Sequence, residues 1–140
     1  MNVRSLSPST LDNLLVEIRA RYIDIMLLCE TWHDANSVSI KRLRADGFSV
    51  IERARPRSPG SEASLRINHG GVAVVASAGI RLAAVEIGEH PSTSECVAAR
   101  VVSGPSSCLV VALYRTDTLT AEFIDELTTL LDRLATFGDP

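Results

Sequence analysis

Aromatic side chains are scarce in this chain: Phe, Tyr and Trp make up 4% of its 140 residues, so any core must be built from Val, Leu, Ile and Ala. That material is ample. With 46% hydrophobic and 22% charged residues, the balance is that of one globular domain or a large piece of one. No apolar run approaches the ~20 residues of a membrane span. Met1-Asn2-Val3-Arg4 is not followed by a signal-peptide core. A basic excess is missing too: the net charge of −3 leaves no global footprint of the kind sequence-independent DNA binding leans on. Cys29, Cys96 and Cys108 are odd in number, share no Cys-x-x-Cys spacing and lie in apolar runs. They read as buried free thiols of a reducing compartment, which predicts an intracellular protein, nuclear or cytoplasmic. Also absent are a Ser nucleophile elbow, a Walker phosphate loop, zinc-ligand spacing and a dinucleotide glycine pattern.

What is present is an ordered set of elements. Ser7 as N-cap and Pro8 at the first helical position, followed by Leu11, Leu14, Leu15 and Ile18, predict a helix over 8–20. Tyr22 to Cys29 is almost continuously hydrophobic, as expected for a strand buried on both faces. A short helix over 38–46 ends at Gly47, and a strand covers 48–52. Residues 53–69, rich in Pro, Ser and Arg, predict a mobile loop that either touches a DNA backbone or is a solvated connection. Strand 71–77 and its expected hairpin partner 81–87 meet at Ala78-Gly79. A second strand pair, 95–102 and 107–114, flanks Gly104-Pro105. Finally Leu119, Phe123, Ile124, Leu127, Leu130, Leu131 and Leu134 share one face of a helix capped by Thr120 and stopped by Gly138.

Glu30 draws attention because it follows the apolar strand directly, where α/β proteins collect functional groups. An acid there is a solvated loop residue or a metal ligand. His33 stands three residues on, but Glu30 ends a strand, so helical geometry does not pair the two. His69 reads as a surface residue.

Five short motifs occur in order: Asn2-Val3-Arg4-Ser5-Leu6, Cys29-Glu30-Thr31-Trp32, His69-Gly70-Gly71-Val72, Val110-Val111-Ala112-Leu113-Tyr114-Arg115, and Gly138-Asp139-Pro140. Together they resemble the N-terminal part of an endonuclease/exonuclease/phosphatase domain, and more narrowly the endonuclease of non-LTR, LINE-like or jockey-like retrotransposons. The resemblance spans essentially all of residues 1–140. It implies an α/β fold of the α+β sandwich type: roughly the first half of a four-layer architecture, with one mostly antiparallel sheet and helices on one face. It implies Mg²⁺- or Mn²⁺-dependent hydrolysis of DNA phosphodiesters, with Glu30 on the metal, Asn2 beside metal and phosphate, Tyr114 on the phosphate and Asp139 orienting the attacking water.

The residues leave other readings open: Asn2 as a frayed terminus, Tyr114 as a strand-edge amphipath, Asp139 as a tail. The family's Gly-Asp motif continues to Phe or Leu and Asn, whereas Pro140 follows here, and no Asp-His pair occurs. The expectation is therefore a domain truncated at the Gly-Asp motif and inactive, whose single sheet leaves an apolar face open to self-association. A phosphodiesterase or phosphatase of the same superfamily, or a non-catalytic interaction fragment, is the alternative.

Overall fold

The computed structural model describes residues 1–34, 36–56, 69–115 and 117–137. Helix α1 spans Pro8–Arg21, with the Ser7 hydroxyl accepting from the Thr10 N–H as its cap. Such a cap is worth about 1 kcal/mol. Leu11, Leu14, Leu15 and Ile18 form its buried face, as their spacing predicts.

The next strand starts later than its hydrophobic run. Tyr22 is the left-handed C-cap of α1, its N–H turned back to the Ile18 carbonyl, and it is 88% exposed. β1 is therefore Ile25–Cys29, and only Leu28 within it is fully buried. The strand buried on both faces is a different one. After α2 (Val38–Ala45) and β2 (Ser49–Arg53) comes β3, Val72–Ala76, in which every residue is buried. β3 runs between β1 and β2 and pairs antiparallel with both. Its Ala73 and Val75 pack among the leucines of α1 and α2, while Val72 and Val74 face the other way.

Because both edges of β3 are taken, β4 (Arg81–Val85) cannot be its hairpin partner. β4 instead pairs with β5 (Ser94–Ser103), which pairs with β6 (Ser106–Arg115), in a second sheet of order β4-β5-β6. The α+β sandwich is as expected, but its six described strands form two antiparallel sheets rather than one. The sheets stack face to face through Val72 and Val74 on one side and Ala99 and Ala112 on the other. Helix α3 (Ala121–Ala135) closes the far side, with Leu130 and Leu134 packed on Cys96 and Ala98. The order of layers is helix, sheet, sheet, helix.

This stacking corrects the expected open sheet face, since each inner face covers the other. What remains open is narrower. Among the described residues β2, β4 and β6 each end a sheet with one strand neighbour, so their outer edges, that of β6 included, are unpaired. The apolar face of α3 is also only partly covered, with Leu119, Ile124 and Leu131 exposed. All three cysteines are free, as expected, but only Cys96 is buried; Cys29 is half-buried and Cys108, on the outlying start of β6, is exposed. Most of the 53–69 segment and the Gly138 stop lie outside the described residues. No helix among the described residues is long and apolar enough to cross a membrane.

Candidate active site

Glu30 sits one residue past β1, and the backbone on either side fixes it. The first residues of the chain run parallel to the end of β1 through a bridge between Asn2 and Cys29. The amides of Val3, Ser5 and Leu6 donate in turn to the carbonyls of Cys29, Glu30 and Thr31, at 3.0, 2.7 and 2.8 Å. From the opposite side, the Trp32 N–H donates to the Gly70 carbonyl at 2.7 Å. Held between these two strips, Glu30 and Trp32 adopt left-handed backbone, φ 58° and 51°. That conformation costs a non-glycine residue roughly 1–2 kcal/mol, so it persists only where its surroundings impose it.

Two side chains then close on the Glu30 carboxylate. The Trp32 indole N–H donates to Oε2 at 2.7 Å, and the Tyr114 hydroxyl approaches the carboxylate from near the end of β6. Partial burial pushes the Glu30 carboxyl up, but these contacts, helped by the positive charge of Arg55 and His69, outweigh it and hold the carboxyl below its ordinary value. The same contact with Glu30, with burial second, pushes the Tyr114 hydroxyl up. Tyr114 is thus brought to the Glu30 carboxylate, whereas Asn2 is joined through its backbone to Cys29, the residue before Glu30. The Asn2 amide oxygen accepts from the Arg4 N–H at 3.1 Å, so Asn2 is held in a local turn rather than frayed. Asp139 lies outside the described residues.

Behind this group is a shell that sequence reasoning missed. Glu95, directly across the β5–β6 ladder from Tyr114, accepts from the Gly71 N–H at 2.7 Å and pairs with Arg55. A side chain at Gly70 would collide with Arg55 and Glu95, and one at Gly71 would lie 2.6 Å from the Thr31 hydroxyl. The two glycines therefore exist for close approach, with φ of 80° and 88°. Thr31 in turn bonds His33 Nδ1 at 2.5 Å, and His33 Nε2 meets Glu52 at 2.8 Å. His33 is buried against Thr31 and Glu52. His69 is exposed and stacks on Trp32, ring centroids 4.2 Å apart. The one hint of this shell in the sequence was the spacing that puts Glu95 opposite Tyr114; nothing marked Arg55 as its partner.

Glu30 opens onto a cleft of about 580 Å³ that also carries Arg53, Arg55, His90, Glu95 and Asp117. A hard divalent cation takes oxygen ligands and retains several waters, so a single carboxylate suffices as its anchor on the protein. Glu30 fits that role: its carboxyl is held below its ordinary value, so it is ionised, and it lines the cleft. No cluster of three or more His, Cys, Asp or Glu suited to a metal occurs among the described residues, so an all-protein cage does not.

No family model matches the chain, and no curated protein sequence does. Solved structures do match. The catalytic domain of human Nocturnin, with bound sulfate, superposes with a TM-score of 0.67 at 18% identity, over 98% of this chain and 56% of that one. The 3′ phosphatase NExo from Neisseria, bound to a product DNA hairpin, gives 0.56 at 14% identity, over 98% and 51%. The chain thus spans about half the length of the structures it matches. Two stacked antiparallel sheets between helices, with a carboxylate at the end of β1, place this chain in the endonuclease/exonuclease/phosphatase fold, of which it carries about half.

Proposed function

We propose that this chain is the N-terminal part of a retrotransposon-type endonuclease domain, whose reaction is metal-dependent hydrolysis of DNA phosphodiester bonds. The observation that supports the reading is the surroundings of Glu30: the Trp32 indole donates to its carboxylate, Tyr114 interacts with it closely enough to be pushed up by it, and Asn2 is bridged to the residue before it. Glu30, Tyr114 and Asn2 are the residues that the sequence resemblance assigns to metal and phosphate. That NExo is bound to a DNA hairpin supports DNA as the partner.

A divalent cation on Glu30 would supply Lewis acidity toward a phosphoryl oxygen and a more acidic water. The chain's own contribution is to keep Glu30 ionised, through Trp32 and Tyr114, and to hold Tyr114 and Asn2 where a phosphate would lie. The resemblance gives water activation to Asp139, together with an Asp-His pair that does not occur among these 140 residues. Removing members of a catalytic unit leaves little activity, so we assign this chain by itself binding without turnover. The open edge of β6 favours a second reading, an interaction fragment that pairs by strand addition and self-associates there.

Nicking of supercoiled plasmid with Mg²⁺ or Mn²⁺ tests both readings. The expected result is metal binding without nicking. Metal-dependent nicking lost in Glu30→Ala would overturn the inactivity, and absence of both binding and nicking would favour the interaction fragment.

A further inference from the structure

The cleft has two ends, and only one is explained by Glu30. Around Glu30 lie Tyr114, Arg55 and His69, and Glu95 is taken up by Arg55 and the Gly71 N–H. The groups that sense Arg53 are different: His90, on the connection from β4 to β5, and Cys96 on β5.

Arg53 closes β2 two residues beyond Ile51, so it shares the face that packs between the sheets, and it is half-buried at the mouth of that gap. Among the described residues its guanidinium makes no ion pair and no hydrogen bond. A guanidinium drawn partly out of water without a counter-charge is costly, and its planar fork of donors matches a phosphate. A second group able to donate to a phosphate, His90, lines the same cleft. Burial first, then the charge of Arg53, lowers the His90 imidazole against the opposing pull of Glu86. Arg53, His90, Ser92 and Ser94 line one cleft, and such a set of nitrogen and hydroxyl donors is an arrangement that a phosphate can bridge.

We propose that Arg53 and His90 form a phosphate-binding subsite in this cleft, separate from Glu30, that takes a phosphate group of a nucleic acid. Asp117 also lines the cleft but is exposed, and it lies on the segment after β6, so it does not neutralise Arg53 by contact. The subsite itself stands on Arg53 and His90; only the choice of nucleic acid as the carrier of the phosphate rests on the function proposed above.

The test is titration of the whole chain in EDTA, so that no metal contributes. The probes are inorganic phosphate and a single-stranded ten-nucleotide DNA, with the His90 and Arg53 side-chain signals followed by NMR. Both signals are expected to move with DNA. Arg53→Gln is expected to weaken binding about tenfold or more, the loss of one charge-assisted contact. Arg53→Lys is expected to restore part of it. Unchanged spectra of β3 in each variant show that the fold is retained. Movement with inorganic phosphate but not DNA would keep the subsite and overturn the nucleic-acid reading. No movement with either probe, or equal binding by Arg53→Gln, would overturn the subsite.

Discussion

The indole N–H of Trp32 donates to Oε2 of Glu30 at 2.7 Å, two residues back along the chain, and both residues have left-handed backbone. An extended backbone would point these two side chains to the same side but along the strand. The double left-handed turn instead folds the indole over the carboxylate, so backbone strain serves to keep an acid ionised.

This arrangement predicts a directed change in titration. Trp32→Phe and Tyr114→Phe each remove a donor, and each is expected to raise the Glu30 carboxyl toward its ordinary value. With the folded value below the unfolded one, Glu30 contributes stability above the ordinary carboxylate range and loses it as pH falls through the folded value. The variants shift that loss to higher pH. Carboxyl ¹³C titration reads this directly; an unchanged Glu30 midpoint in both variants would show that the two contacts do not set it.

Gly71 and Gly79 both have positive φ, 88° and 94°, but differ in surroundings. A methyl at Gly79 meets nothing within 4 Å, whereas at Gly71 it would press on the Thr31 hydroxyl and on His33. Gly79→Ala is expected to cost about 1 kcal/mol, for backbone alone. Gly71→Ala adds a clash with a buried network and is expected to cost about 2–4 kcal/mol. Urea unfolding of the two variants measures the difference, and equal costs would mean that the Thr31–His33 pair can move aside.

Glu126 on α3 accepts from the backbone and side chains of Ser92 and Thr93, and these bonds bring its carboxyl down to about 2. The folded value lies below the unfolded one, so its contribution is complete above roughly pH 4.3 and is lost as pH falls. The Tm gap between wild type and Glu126→Gln is expected to be constant near neutrality and to close between about pH 4 and 2. A gap that does not change with pH would show that the charge on Glu126 is not what holds α3 to this loop.

Local signals were legible wherever one residue decides the outcome. Ser7-Pro8, Gly47, Gly104-Pro105 and Thr120 each mark an element boundary that the structure places within a residue or two. What the sequence concealed was pairing. An apolar run gives no account of which strand is central, so the buried strand was assigned to Tyr22–Cys29 when β3 fills that place. Likewise the short link at Ala78-Gly79 reads as a hairpin, yet β3 has no free edge and the chain crosses to the other sheet. Glu30 draws attention in the sequence because it follows an apolar run, whereas Asn2 and Tyr114 are named only through the resemblance to a family. Glu95, Arg55 and Arg53 escape notice, because their roles depend on the sheet-to-sheet register that no local pattern encodes.

The central claim is that Glu30 is the anchor for a divalent cation, and Trp32 offers a single, unambiguous reporter, as the only tryptophan in the chain. Mn²⁺ would be titrated into the ¹⁵N-labelled protein while the indole N–H signal is followed, with Glu30→Gln in parallel. The account predicts selective broadening of the indole signal at sub-stoichiometric Mn²⁺, reversed by excess Mg²⁺ and absent in Glu30→Gln. Broadening spread evenly over surface carboxylates, or an indole signal that broadens equally in Glu30→Gln, would contradict it.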